Sequence, residues 1–382
     1  MEVVRFSSLE KLEPLAADWD RLARRVPFRS WTWLSRWWRH YGEPFGSRGS
    51  RVSLYVLVVY DGGKLVGIAP WYREDCPCQG RVLRFLGLGE VCSEYLSVLC
   101  LPEMEQRVAE ALAAWLTPTD RSGPSVLPSD DQWDLLELSG VDVEDSAVIC
   151  LTDELEMRRN LVHRSVGWNC WRIALPDSWE EFLANLSKNH RKQLRHRQRT
   201  ILDGRRNVLH SVQQSADLPQ AQDVLVDLHQ RRRQSQGSQG RFASCRFTAF
   251  HDDVMPAMLR AGQLRLAWLE VDGRPVAAEY QLTGNDVVYA YQSGMNPDAL
   301  DLAPGSLGHL VTLRWAIDGG YRTFDFLRGD EPYKRHWRAR PRPTWRFRVV
   351  PSQTSARLRH GLWLAGSNVK QWIKTEIPFL HR

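Results

Sequence analysis

The chain has 382 residues, 43% hydrophobic and 25% charged; this ordinary globular usage excludes a wholly disordered chain, a collagen-like fibre and a disulfide mini-scaffold, and the length suggests roughly two to three domains. The longest apolar run near the start, Val52–Tyr60, is broken by Ser53 and is far short of the ~20 residues of a membrane helix; Met1–Phe6 shows no basic-then-apolar leader, so the expected address is the cytosol. The net charge of +6 is uneven: residues 1–150 hold 16 Lys+Arg against 22 Asp+Glu, whereas 151–382 hold 35 against 23, so the second half is expected to meet an anionic partner, whether phosphate, nucleotide, nucleic acid or a membrane surface.

In chain order, Ser7–Leu12 opens a helix with Ser8 as N-cap, and Pro27-Phe28 breaks the chain. A second helix begins at Ser30; Trp33 and Trp37, and Leu34 and Trp38, are four apart and face a core. Arg51–Tyr60 and Lys64–Tyr72 read as strands joined by an Asp61-Gly62-Gly63 turn. Further strands are expected at Phe85–Gly89, Tyr95–Leu101 and Asp134–Leu138, with a helix over Glu103–Leu116 and a loop over Thr117–Ser125. Ser139–Val166 reads as the connection between halves.

In the second half, Trp168–Leu175 alternates as a strand. Ser178 and Glu181 form a capping box opening a long helix to about Leu202, closed by Asp203-Gly204. A strand at Val208–Val212, helices at Gln220–Gln236 and Phe250–Ala261, and a polar Gln234–Gly240 loop follow. Strands Leu264–Val271, Arg274–Thr283 and Asp286–Gln292 lead through Pro304-Gly305 into a helix, Ser306–Ile317. Strands Arg322–Phe326 and Trp345–Val350 precede a basic amphipathic helix over 353–382. The expected domains are 1–150, 167–350 and that C-terminal helix. A strand, an Asp-Gly turn and a Val-containing strand ending in Ala occur twice, at Val56–Ala69 and Leu266–Ala278, which points to a repeat.

Four stretches can carry chemistry. Pro304, Gly305, Ser306, Leu307 and Gly308 enter a helix, where free N–H groups and the positive end of the helix dipole suit a pyrophosphate; Ser306 also serves as a simple N-cap. Phe324–Trp337 runs from a strand into a loop dense in ionisable groups, including Asp325, Asp330, Tyr333 and Lys334. Residues 188–206 hold eight Lys/Arg against one acid, Asp203, with Lys188, Lys192 and Arg195 on one face and Arg191 beside Arg195; aromatic interleaving for base stacking is missing there. Residues 334–348 add seven basic residues and no acid. Nucleophile-elbow, Walker and dinucleotide patterns are absent. Of seven cysteines only Cys76 and Cys78 are close, with no second pair to complete a zinc site, so no metal is expected.

The segment Gly262–Trp337 resembles the GNAT-superfamily acyltransferase domain of CelD-like proteins, found beside bacterial cellulose and exopolysaccharide synthesis functions. The resemblance rests on Leu266-x-x-Leu-x-x-Asp272-Gly-x-Pro-Val-Ala-Ala278, Tyr291-x-Ser-Gly-x-x-Pro297, Pro304-Gly-Ser-Leu307, Ala316-x-x-x-Gly320, Phe324-Asp-Phe-Leu-Arg-Gly-Asp330-x-x-Tyr333-Lys334-x-x-Trp337 and, upstream, Ser187-x-Asn-x-Arg191-x-x-x-Arg195. The N-terminal half fits more loosely through Trp31-x-Trp33 and the hairpin ending Ala69-Pro70. The family is similar to Fem-type aminoacyltransferases, which carry two GNAT-like folds in tandem. The resemblance implies an α+β fold of two tandem GNAT-like domains, each a mixed, mainly antiparallel sheet flanked by helices, the first of them non-catalytic. It implies transfer of an acyl group, acetyl above all, from acyl-CoA to an amine on an amino sugar or an envelope or exopolysaccharide precursor. The pantetheine arm would pair with splayed strands; Glu279, Tyr291, Asp325, Asp330, Tyr333 and Lys334 are the candidates for acid–base and oxyanion roles. Residues 304–308 with Lys188, Arg191 and Arg195 would hold phosphates. The usual pyrophosphate loop, Q/R-x-x-G-x-G/A, is replaced by Ala303-Pro-Gly-Ser-Leu-Gly308, and Asn296 stands where relatives often show Asp. The Fem-type kinship implies an alternative, aminoacyl transfer from tRNA to an envelope precursor; a third reading is a non-catalytic scaffold of a polysaccharide synthase, docked to the inner membrane by its C-terminal helix.

Overall fold

The computed structural model describes residues 1–42, 51–120, 123–124, 127–204 and 207–364. By internal packing the chain divides into two compact units. One comprises Met1–Ala23, Trp37–Gly167 and Thr344–Arg382; the other comprises Arg24–Arg36 and Trp168–Pro343. The division thus differs from a cut at 150–167 and 350: two short segments are interleaved. The fold is α+β, each unit a mixed, mainly antiparallel sheet flanked by helices.

The strands of the first unit are β1 (Glu2–Phe6), β2 (Val52–Asp61), β3 (Lys64–Cys76), β4 (Gly80–Phe85), the two-residue β5 (Leu99–Cys100), the small hairpin β6 (Thr119–Asp120) and β7 (Gly123–Pro124), and β8 (Leu135–Asp142). Its helices include α1 (Ala16–Leu22), α3 (Glu105–Leu116) and α4 (Ser146–Met157), while α2 (Trp31–Tyr41) begins in the other unit. Strand β9 (Leu161–Ala174) likewise runs from the first unit into the second. The second unit contains α5 (Trp179–Ala184), α6 (Lys188–Arg197), β10 (Asn207–Ser211), α7 (Leu218–Ser235), α8 (Cys245–Arg260), β11 (Leu264–Val271), β12 (Arg274–Gly284), β13 (Val287–Met295), α9 (Pro304–Asp318), β14 (Thr323–Arg328) and α10 (Pro332–His336). Strand β15 (Arg340–Val350) returns the chain to the first unit.

The two sheets repeat one topology. In the first, β1, β2, β3 and β4 pair antiparallel in turn, β4 pairs β8 in parallel, and β8 pairs the Thr344–Val349 stretch of β15 antiparallel. In the second, β10 through β13 pair antiparallel, β13 pairs β14 in parallel, and β14 pairs the Cys170–Ala174 stretch of β9 antiparallel. The two Asp-Gly hairpins are the β2–β3 and β11–β12 pairs of this repeat, each with a register shift near its turn. The sixth strand of each sheet comes from sequence outside its own run, which is why no single cut separates the units.

Several sequence expectations change. The long helix from Ser178 breaks after Ala184 and restarts at Lys188, because Ser187 caps a new N-terminus by accepting from His190 N. Phe85–Gly89 and Tyr95–Leu101 are mostly irregular: Gly87, Gly89 and Tyr95 have positive φ, outside the β region. The connection Ser139–Val166 holds helix α4, capped by Asp145. Residues 354–364 are helical and lie against the first unit, with Ala356 in a core cluster, Arg359 paired with Asp134 at 2.8 Å and His360 buried. The rest of the C-terminal helix, from 365, lies outside the described residues, as do 121–122 and 125–126 of the loop and Arg205-Arg206 of the basic run.

Candidate active site

The second unit holds a cavity of about 570 Å³ where the sheet parts. Strands β13 and β14 pair only over Val287–Tyr289 and Thr323–Asp325. Beyond that point β14 turns away: Leu327 sits at φ 57°, held by its N–H donating to Asp325 Oδ1 at 2.7 Å. Strand β13 stays with β12 as far as Met295, across a bulge in which Tyr291 is the extra residue. Its edge from Ala290 onward has no β14 partner.

Helix α9 starts against the end of β13. A Cβ on Gly305 would sit 3.3 Å from Met295 Sδ, so the close approach of its first turn depends on a residue without a side chain. Gly305, Ser306 and His309 of α9 line the cavity, with Ser293, Gly294 and Met295 of β13 and Glu279 of β12. From α6 come His190, Gln193 and Arg197, one face at i, i+3, i+7. From α7 come His229, Arg232, Arg233 and Gln236, again one face. Glu331, Tyr333, His336 and Trp337, in and around α10, close the remaining side.

The polar groups fall into two sets. Arg197 donates from Nη1 to Ser306 Oγ at 3.1 Å, and among the described residues no carboxylate lies within 4.0 Å of the guanidinium of Arg197, Arg232 or Arg233. Arg197 thus meets the first turn of α9, and Arg232 and Arg233 line the same cavity with no carboxylate within 4.0 Å among the described residues, a setting for phosphate oxygens. The other set centres on Glu279. Its carboxyl is 7% exposed and burial pushes its pKa up to about 8, against the opposing pull of Arg265 and of the Gln281 hydrogen bond. Gln281 donates to Glu279 Oε2 at 3.3 Å and accepts from Arg265 Nη1 at 2.6 Å. His309 Nδ1 lies 3.8 Å from Glu279 Oε1 and is buried without a hydrogen-bond partner. Burial and the Lys334 cation hold the His309 pKa down to about 4. Its ring stacks on Tyr333 at 5.3 Å and meets Trp337 edge-on at 5.7 Å. At neutral pH the pair is a neutral imidazole beside a carboxyl group poised to ionise.

Of the residues singled out in the sequence, Glu279, Tyr333, Gly305 and Ser306 line this cavity. Gly308 sits beneath it, where a Cβ would come 2.6 Å from Glu279 Oε1. The others are placed differently. Tyr291 points away, its hydroxyl 3.2 Å from His251 Nε2 in a cluster with Trp33, Phe28 and Tyr280. Asp325 is fully buried, accepting from Arg172 Nε at 2.6 Å as well as from Leu327 N. Asp330 is exposed and accepts from Asn169 and Trp171, which holds its carboxyl below the usual range. The ammonium of Lys334 donates to the carbonyls of Leu327, Arg328 and Gly329 and pairs with Glu331 at 2.9 Å; its donors are engaged in closing the turn after β14. Pro304 and Leu307 are buried in the body of α9. Lys188, Arg191 and Arg195 lie off the lining face of α6; Arg191 bonds Ala184 O, and Arg195 pairs with Glu180 at 2.6 Å.

Sequence reasoning missed the histidines and the α7 arginines. The signal for His190, Gln193 and Arg197 was the apolar stripe of α6, where His190 and Leu194 are buried; counting charge alone selected the solvated side. Arg232 and Arg233 were in view as the end of a helix, and only the fold brings them to α9.

Residues 188–335 match the model of the acetyltransferase (GNAT) domain family. Among solved structures the chain is similar to FemX, at 11% identity, covering 94% of this chain and 99% of that one with a TM-score of 0.61. It is also similar to the C-terminal domain of a protein named as a lysylphosphatidylglycerol synthetase from Agrobacterium fabrum, at 12% identity over 94% and 96% with a TM-score of 0.52. A protein of unknown function from Bacteroides thetaiotaomicron matches at 11% identity over 91% and 100%, with a TM-score of 0.51. The sequence has no significant match among curated proteins. Residues 188–335 therefore match the GNAT acetyltransferase domain model, within a chain similar in fold to FemX.

Proposed function

We propose that the protein is an N-acyltransferase that moves an acyl group, acetyl or longer, from acyl-CoA to an amine. The observation that carries this reading is the parting of β13 and β14 in front of α9, with Arg197, Arg232 and Arg233 at its mouth. The unpaired edge of β13 offers N–H and C=O groups to the amides of a pantetheine arm, and the arginines with the first turn of α9 receive the phosphates. The amine attacks the thioester carbonyl directly, with both partners held in one cavity: the C–N bond forms, the C–S bond breaks, and CoA leaves as the thiolate, which takes up the second proton of the attacking nitrogen. Glu279 takes the ammonium proton in its ionised form; a carboxyl pushed up to about 8 is suited to that exchange. Gln281 holds it in place by donating to Oε2. On the resemblance of its motifs to CelD-like proteins, the acceptor is an amino sugar or another envelope or exopolysaccharide precursor.

Calorimetric titration with acetyl-CoA and longer acyl-CoAs should give heat of binding, and kcat/KM should rise with pH through about 8. Glu279→Gln should lower kcat about 10²-fold or more and abolish that limb while leaving acyl-CoA binding in place. No heat with any acyl-CoA, in protein shown to be folded, overturns the reading. A second reading, compatible with the fold shared with FemX and implied by the resemblance to Fem-type aminoacyltransferases, is aminoacyl transfer from tRNA. It requires tRNA binding that weakens steeply with salt, and no acyl-CoA binding.

A further inference from the structure

A second cavity of about 700 Å³ lies in the same unit, outside the acyltransferase site. Its rim carries Arg172, Arg335, Arg338 and Arg340, and no acid lines it. Arg172 is anchored to the buried Asp325. Among the described residues no carboxylate lies within 4.0 Å of the guanidinium of Arg335, Arg338 or Arg340. Asp330, the acid whose field reaches Arg335, is engaged by Asn169 and Trp171. The floor is apolar: Ile173 from β9, and Phe182 and Leu186 from the α5 region, are all buried core residues.

Four guanidinium groups gathered around one hollow repel each other, and among the described residues no carboxylate lies within 4.0 Å of three of them, Arg335, Arg338 and Arg340. An anion would. Each planar fork matches two oxygens of a phosphate, and three such forks beside the anchored Arg172 suit a ligand that carries more than one phosphate group. A volume of this size accommodates a small organic molecule rather than a bare ion, and the apolar floor gives its carbon portion a place out of water.

We infer that this basin is a second ligand site, which binds an organic diphosphate with its two phosphates on Arg335, Arg338 and Arg340 and its apolar portion on the Phe182 floor. The site does not depend on the acyl-transfer reading. Helix α10 and its flanks join the two cavities: Tyr333 and His336 line the first, Arg335 and Arg338 the second.

Isothermal titration of the full chain with isopentenyl diphosphate, a small alkyl diphosphate, tests this. Arg335→Gln/Arg338→Gln/Arg340→Gln should weaken binding at least about tenfold, with thermal melts confirming an intact fold. Arg197→Gln/Arg233→Gln, at the first cavity, should leave it within about twofold. Absence of binding to the wild type, or loss of binding only in the Arg197/Arg233 variant, overturns the proposal. Acyl-CoA titration of the same variants is read separately, so either site can fail without the other.

Discussion

Glu279 and Gly308 show how one residue's absence of atoms sets another's chemistry. Glu279 was legible as a candidate because it sits on a predicted central strand. What raised its interest, burial beneath α9 with its proton affinity lifted to about 8, required the fold. Gly308 looked like a loop glycine for an anion; instead it lies inside α9 and leaves room for the Glu279 carboxyl, which a Cβ would meet at 2.6 Å. Gly308→Ala gains about 1 kcal/mol of helix propensity and loses a comparable amount to crowding. Its melting temperature should therefore change little, while kcat falls about tenfold or more as the carboxyl is displaced; parallel melts and steady-state kinetics check both. Lys334 teaches the converse: read in the sequence as a candidate for an oxyanion role, it donates to three carbonyls that close the end of a strand.

At the scale of elements, the site is made by where β13 stops being paired. The run of three pairs between β13 and β14 is set by the Asp325–Leu327 turn on one strand and by the Tyr291 bulge on the other. Helix α7 reaches the cavity because it packs on β13 at Gly294, where a Cβ would stand 2.6 Å from His229 N and 2.7 Å from Leu228 Cβ. Backbone on the far side of that contact cannot yield as a flexible side chain would. Gly294→Ala should thus destabilise the protein by about 1–3 kcal/mol, despite the lower entropy of its unfolded chain, and urea unfolding measures it. The helices α7, α8 and α9 and the three strands β11–β13 were visible in period and turn residues. The break between α5 and α6 was not, because Ser187 acts as a cap only when the chain on its N-terminal side leaves the helix.

At the scale of the whole molecule, buried titratable groups act on stability in opposite directions. His190, His309 and His360 are each held down to about 4, chiefly by burial, from a normal 6.5. Their neutral forms favour the folded state: the contribution is complete above pH 6.5 and is lost as pH falls towards 4. Glu279, raised from 4.5 to about 8, contributes fully below pH 4.5 and loses that contribution as pH rises through 8. The melting temperature should therefore drop by several degrees between pH 6.5 and 4, with His360→Asn, outside the cavity, recovering part of the loss. Glu279→Gln should melt higher than wild type at pH 8.5; differential scanning calorimetry across pH checks both. The sequence by itself determined the repeated Asp-Gly hairpin, the basic second half and the glycine-rich entry to α9, because hydrophobic period, turn chemistry and charge are local properties of the chain; the α+β class came from the resemblance of its motifs. Only the tertiary structure decided which face of α6 lines the cavity, that α7 supplies its arginines, that Lys334 is spent on backbone carbonyls, and that each sheet takes its last strand from a distant stretch. These depend on contacts between residues far apart in the chain, and no local pattern encodes the direction in which a side chain will find its partner.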